Sequence, residues 1–394
     1  MPTERLWNRN YIRVWLANFM IFFSFMVVTP LLPLYLNEVF GADKHTIGVV
    51  LSGYTLTALL TRPFSGYLVD SFPRKVVLLT SYFLFFAMFA GYVVAGSLTL
   101  FTIVRTMHGG PMGATTVANS TCAIDVLHPS RRAEGIGYYG LSNNLATSMA
   151  PTLGLVLYEV FGNYDAIFFV ALAISFIGLV LNSQVRFPEK EIVPNKAPVS
   201  LDRFFLVKGA VLSVCVVCIA FSYGVIATYI AIYSKEELGM TAGSGLWFAV
   251  LCVGLITSRL FGVRSLREGR IVENANHGFI VSLVGYVLFA TVHNHWGYYG
   301  AALIIGLGNG HIWPALQNMF INLATSSQRG TANSTILTSW DVGIGFGVIL
   351  GGIIAEHVGY VPAFTAGFLV NAVGVAFYFL CARGHYVRNR VPAK

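Results

Sequence analysis

The sequence predicts an all-α membrane protein, with twelve transmembrane helices in two pseudo-symmetric six-helix bundles, and three observations carry that prediction. Hydrophobic residues make up 56% of the 394-residue chain and charged residues 11%, against roughly 25% charged in a soluble domain. Apolar runs of the about 20 residues needed to cross a hydrocarbon core recur from end to end. The chain also matches itself at a shift of half its length.

Taken in order, spans are expected near residues 11–36, 46–69, 74–95, 98–126, 132–161 and 164–185, then 208–233, 243–263, 276–292, 296–324, 330–358 and 361–382. A mean hydropathy of +0.68 leaves no stretch for a sizeable soluble domain. The first run follows a basic amino terminus but is too long for a signal-peptide core and lacks a small-residue cleavage pattern, so it is expected to stay as a span. With the amino terminus inside, only Lys44 and Lys235 of the 25 Lys and Arg residues fall in external loops. The clusters Arg5/Arg9/Arg13, Arg74/Lys75, Arg131/Arg132, Arg264/Arg267/Arg270 and Arg383/Arg388/Arg390 then face the cytoplasm, as the positive-inside rule requires. The formal charge of +8 is therefore a topology signal. It does not indicate a nucleic-acid partner. Both termini are expected in the cytoplasm. Cys215 and Cys218 have redox spacing, but inside a spanning helix they read as packing.

A shift of 197 to 198 residues superposes Phe23-Ser24 on Phe221-Ser222, Glu38 on Glu236, Gly41 on Gly239, Gly109 and Gly113 on Gly306 and Gly310, Arg132 on Arg329, and Gly162 on Gly359. A parallel six-plus-six repeat places two bundles about an axis along the membrane normal, with a binding site between them near the midplane. The domains are expected at residues 1–186 and 207–394. Residues 187–206, rich in Pro and charge, form the cytoplasmic linker between them.

Several stretches carry candidate chemistry. Between spans two and three the chain reads Gly66-Tyr-Leu-Val-Asp70-Ser-Phe-Pro-Arg74-Lys75. Gly66 lets two helices approach closely, Asp70 can accept hydrogen bonds from a helix amino terminus, and Arg74 can pair with it. Asp125, ending span four on the same side, can join them in a cluster that locks the bundles when the cytoplasmic side is closed; each charge alone is ordinary at an interface. Arg105 lies about two turns inside span four, where a charge costs on the order of 3 kcal/mol on insertion scales. It faces a substrate cavity or a partner, or it snorkels to the outer interface. His108 divides between that cavity and a helix-packing hydrogen bond. In span five, Gly140, Asn144, Pro151 and Gly154 make a kinked, closely packed helix that can hinge or restrict leakage, with Asn144 toward the cavity.

Span ten offers Asn309, His311, Trp313 and Gln317, which read as cavity residues or, equally, as packing against a neighbouring span. Its G-x-G spacing is no nucleotide loop, since no strand precedes it. Asp341 is the most deeply placed acid of the chain, among Gly343, Gly345 and Gly347. Desolvation favours the neutral form of such a carboxyl, as a proton-coupling group requires; a structural carboxylate held by Arg105 or a hydroxyl is the alternative.

The turn from Gly66 to Lys75 resembles the signature G-x-x-x-D-R-x-G-R-K of the major facilitator superfamily, with Ser71 and Pro73 in the Arg and Gly positions. The stretch from Arg105 to Gly109 is similar to R-x-x-Q-G, with His108 for Gln. Span five is similar to the antiporter motif G-x8-G-P-x-x-G-G, with Ala150 and Leu155 in Gly positions. Over about residues 10 to 385 the chain resembles the twelve-span drug:proton antiporter branch, including sugar-efflux-like members. That resemblance implies the major facilitator fold and a secondary transporter, working as a monomer in a bacterial inner membrane. Its partners would be a small-molecule substrate and the lipid bilayer, and it would need no cofactor beyond a proton gradient. Span one departs from the branch: several such antiporters carry a proton-binding acid there, and this chain has only Asn18, Ser24 and Thr29 as polar residues.

The leading expectation is proton-driven efflux of a drug or metabolite by alternating access, with uptake by the same machine second. A membrane-embedded enzyme using His108, His311 and Asp341 is remote, because no H-E-x-x-H or G-x-S-x-G pattern is present and scattered histidines rarely bind a metal. A two-halved chain with a linker suits rocking bundles better than a channel.

Overall fold

The computed structural model describes residues 5–187, 201–240 and 243–391. Twelve spanning-length helical stretches stand out among them. The first half holds α1 (Arg9–Val28), continued past a break at Thr29–Leu31 by α2 (Leu32–Phe40), then α3 (Lys44–Ser71), α4 (Arg74–Val94), α5 (Leu98–Asp125), α6 (Arg132–Phe161) and α7 (Tyr164–Ser183). The second half holds α8 (Ala210–Glu236), α9 (Gly243–Arg267), α10 (Ile271–Thr291), α11 (His295–Leu323), α12 (Arg329–Val358) and α13 (Tyr360–Phe377), which a π turn joins to α14 (Arg383–Asn389). Eight stretches are apolar and long enough to cross a membrane by those criteria alone. The expected first span, 11–36, is one continuous apolar run, but Pro30 and Pro33 each lack an amide donor and the helix tightens into a 3-10 turn at Thr29–Leu31.

Local chemistry sets the ends. Asn8, Asp43, Ser97 and Asn294 cap helix starts by accepting from Tyr11 N (2.9 Å), Thr46 N (2.8 Å), Leu100 N (3.2 Å) and Gly297 N (2.9 Å). Helices end on left-handed glycines in two repeat-related pairs, Gly41 (φ 63°) with Gly239 (φ 65°) and Gly162 (φ 61°) with Gly359 (φ 109°).

The chain forms two compact units, one of residues 1–135, 139–204 and 327–334, the other of residues 136–138, 205–326 and 335–394. Both are built by the same small-residue packing. In the first, a Cβ at Gly109 would overlap the Tyr54 carbonyl, so α5 lies directly on α3. In the second, a Cβ at the repeat-related Gly306 would overlap the Leu251 carbonyl, and α11 lies on α9 in the same way. Gly154 of α6 likewise meets the Val27 carbonyl of α1, while its counterpart Gly351 meets Val225 of α8. Such contacts give membrane helices the close backbone approach that hydrophobicity cannot drive in lipid.

A buried polar chain ties the first unit together. Asn182 Nδ2 donates to Asn119 Oδ1 (2.9 Å), Asn119 Nδ2 to Tyr139 OH (2.8 Å), Tyr139 OH to Asn18 Oδ1 (2.7 Å) and Asn18 Nδ2 to Ser142 Oγ (2.7 Å), linking α7, α5, α6 and α1. Large apolar side chains such as Phe261, Leu380 and Val76 stand outward, which fits a lipid-facing exterior.

Candidate functional site

Asp70 closes α3 one residue before its end, and the first turn of α12 belongs to the same unit. Asp70 Oδ1 accepts from Gly330 N (2.9 Å), and Oδ2 accepts from Thr331 N (2.8 Å) and Thr331 Oγ1 (3.0 Å). A carboxylate thus caps two of the free amides at the α12 amino terminus, where the helix dipole favours negative charge by about 0.3–2 kcal/mol. Gly66, one turn earlier, makes the approach possible: a Cβ there would overlap the Ser334 side chain and lie 2.9 Å from the Gly330 carbonyl.

Arg74, in the first turn of α4, reaches Asp70 Oδ1 at 3.5 Å and pairs with Asp125 Oδ2 at the end of α5. Asp125 Oδ1 then accepts from Arg329 NH1 at 2.8 Å. Two acids and two arginines alternate, so the cluster is neutral within itself, and the side chains of Arg74, Asp125 and Arg329 are only 11%, 10% and 14% exposed. Enclosed, charge-assisted bonds of this kind hold more firmly than exposed pairs. The expected members Gly66, Asp70, Arg74 and Asp125 are therefore brought together. Arg329 and Thr331 were not foreseen: Arg329 is visible in the sequence as the repeat mate of Arg132, but its pairing is assembled from three helices.

The linker end joins this cluster. Gln328 Nε2 donates to Asp202 Oδ2 (2.7 Å), Thr331 Oγ1 also reaches the Arg203 carbonyl (3.1 Å), and the Phe204 ring lies 5.6 Å and 5.1 Å from those of Phe64 and Tyr67 on α3. The corresponding turn of the second unit differs. There Glu268 takes Arg270 (2.5 Å) and Arg264 (3.2 Å) in the open. Hydrogen bonds from Arg270 and then Arg264 hold its carboxyl below the usual range, and exposed pairs like these contribute little to stability.

Arg105 points inward, 4% exposed. Its NH1 donates to Tyr92 OH (3.2 Å), which also bonds His108 Nδ1 (2.7 Å). The guanidinium carbon sits 4.4 Å from the Tyr54 ring centroid and 5.1 Å from that of Phe25. His108 is fully buried, with the rings of Phe85 and Phe89 each 4.8 Å away. Arg105 Nε and His108 Nε2 have no hydrogen-bond partner among the described residues. Tyr92 was the missed member of this group, since its place on α4 leaves no spacing signal relative to α5.

The remaining candidates are spread over both units. Asn144, half-buried on α6, keeps its Nδ2 without a hydrogen bond among the described residues. Pro151 lies inside an unbroken α6. In the second unit, Asn309 Oδ1 accepts from Ser282 Oγ (3.2 Å), and His311 Nδ1 bonds Asn274 Oδ1 (2.8 Å) while its carbonyl accepts from Asn274 Nδ2 (2.9 Å). Both tie α11 to α10. Trp313 packs edge-on against Trp340 (5.1 Å), which also meets Tyr223 (5.7 Å). Gln317 is buried nearby on α11, and Asp341, half-buried, follows Trp340 on α12. Two of the three glycines after Asp341 make close contacts, Gly343 with the Val217 carbonyl and Gly347 with that of Phe221, whereas a Cβ at Gly345 would meet open space. Among the described residues no three His, Cys, Asp or Glu side chains gather as a metal site.

The profile of the Major Facilitator Superfamily matches residues 14–272 and 277–394. The chain is 22% identical over 372 residues to the staphylopine export protein of Staphylococcus aureus, covering 89% of this chain and 90% of that one. It is 26% identical to the multidrug resistance protein MdtG of Escherichia fergusonii, covering 98% and 96% of the two chains. The crystal structure of the transporter FucP in the outward conformation superposes with a TM-score of 0.80 at 16% identity, over 97% of this chain and 99% of that one. The chain belongs to the Major Facilitator Superfamily.

Proposed function

We propose that this Major Facilitator Superfamily transporter exports a small molecule from a bacterial cell by alternating access, using inward proton flow taken up at Asp341. The observation that carries the reading is the neutral cluster of Asp70, Arg74, Asp125 and Arg329 on the amino terminus of α12. A helix end held by one carboxylate and enclosed ion pairs is a two-state contact: seated, it satisfies every charge, and unseated, it leaves four charges and two amides to water. With both termini in the cytoplasm, this end is the cytoplasmic gate. The names of the relatives, a staphylopine export protein and a multidrug resistance protein, support export as the direction.

Asp341 is the proposed coupling group because α1 offers no acid and Asp341 lies about three turns inside α12. Asp341→Asn imitates the protonated carboxyl. It is expected to bind substrate and exchange it down a gradient, but not to accumulate it. Liposome flux with pH gradients of either sign, for wild type and Asp341→Asn, tests the reading. A wild-type response only to gradients that drive uptake refutes export. An Asn variant that still follows the gradient moves coupling elsewhere, with Asp125 and His108 next.

A further inference from the structure

We infer that the exported molecule carries an anionic group, a carboxylate or phosphonate on an apolar body, and that Arg105 with His108 receives it. The inference rests on the export reading and names its substrate class. Arg105 is the eighth residue of α5, well inside the helix, and 4% exposed. Among the described residues of α1 to α7, the acids either lie within three residues of a spanning-helix end, as do Asp70, Asp125, Glu134, Glu159 and Asp165, or sit exposed on α2, as does Glu38. No ion pair to Arg105 is present among the described residues, although Arg74 and Arg329 of the same unit have carboxylate partners.

Two aromatic faces and one phenol are what Arg105 has instead. Cation–π contacts recover only part of what withdrawing an unpaired charge from water costs. The guanidinium Nε and the His108 Nε2 both remain without hydrogen-bond partners, in residues that are 96% and fully buried respectively. A cluster that packs tightly, pays for a buried cation and leaves two polar atoms idle is short of one negative charge with acceptor oxygens. An anionic group supplies both. Phe25 and Tyr54, whose faces meet the guanidinium, are the aromatic surfaces beside which an apolar body would lie, while Phe85 and Phe89 belong to the packed core behind His108. A cationic molecule would meet like charge here and find no acid in α1 to hold it.

The test uses three probes that share one ring system: 1-naphthoate, 1-naphthamide and 1-naphthylmethylamine. Thermal stabilisation of the purified full-length protein is measured with each, and flux of each is followed in proteoliposomes. Naphthoate is expected to stabilise and to be transported, with at least tenfold weaker response to the amide and the amine. Arg105→Gln should abolish the preference for the carboxylate, whereas Arg105→Lys should keep the preference with reduced affinity. If Arg105→Gln does not fold, the wild-type ranking and the Lys variant decide. Equal binding of amide and carboxylate, stronger binding of the amine, no binding of any probe, or an unchanged preference in Arg105→Gln each overturns the inference. Transport of the amine without the carboxylate leaves export standing and removes only the anion; the pH-gradient experiment refutes export independently of probe charge.

Discussion

Asp70 serves α12 as cap and Arg74 as counter-charge, and the two tasks predict what its amide should do. Asp70→Asn keeps the shape of the side chain but loses the charge and leaves one of the Gly330 and Thr331 amides, which both need an acceptor, facing an amide donor. The loss of a charged cap is worth about 0.3–2 kcal/mol, enough to shift a two-state gate up to roughly thirtyfold. We expect initial flux to fall several-fold in Asp70→Asn and in Arg329→Gln, with the yield of monodisperse protein unchanged. Wild-type flux in both variants would remove the gate. Glycines give a second prediction at this scale. A methyl at Gly109 runs into the fixed Tyr54 backbone, while one at Gly110 meets only the Thr61 hydroxyl at 3.3 Å. Gly109→Ala should lower the melting temperature by several degrees, since overpacking costs about 1–3 kcal/mol, and Gly110→Ala should change it little.

The first turn of α12 is the element on which three chain segments converge. Asp70 holds its amides, Thr121 Oγ1 accepts from Asn333 Nδ2 (3.0 Å), and the linker end adds Asp202, the Arg203 carbonyl and Phe204. The Thr331 hydroxyl has one proton and two acceptors, Asp70 Oδ2 and the Arg203 carbonyl. Residue 203 and Asp70 therefore compete for the same donor. Removing the linker contacts with Phe204→Ala and Asp202→Ala should speed amide exchange in residues 329–334 several-fold, read by hydrogen–deuterium exchange. Unchanged exchange would make residues 201–204 a passive connection. Element positions were largely readable from the apolar runs: expected spans 132–161 and 330–358 correspond to Arg132–Phe161 and Arg329–Val358. Where they drift, the cause is polar sequence in a helix, as in α10, which begins at Ile271 through Glu273 and Asn274 ahead of the expected residue 276. The docking of Phe204 was not readable, because its partners Phe64 and Tyr67 lie far away in sequence. Asp70 and Arg74 were, because they share one short turn, and Asp125 was because span four ends on the same side.

At the scale of the whole molecule, charge is distributed so unevenly between loops that orientation becomes testable without a substrate. Only Lys44 and Lys235 of 25 basic residues fall between the spans on one side, and Lys and Arg near span ends are what fixes insertion. The loop of Pro129–Arg131 and the α10–α11 connection lie on opposite sides in that reading. Ser130 and His293 are exposed there, and Cys381 is the exposed native thiol. In a Cys381→Ser background, a membrane-impermeant maleimide added to intact cells should label His293→Cys and spare Ser130→Cys, which should react once the membrane is opened. The repeat makes the result bear on function as well. Gly66, Asp70, Arg74 and Asp125 share the Ser130 side, so labelling of Ser130→Cys from outside would turn the gate outward. The direction of net flux would still follow the proton gradient, so that result would remove the cytoplasmic placement of the cluster and leave the choice between export and import to the flux experiment. Protection of Ser130→Cys keeps the capped end of α12 on the side from which an exported molecule must enter.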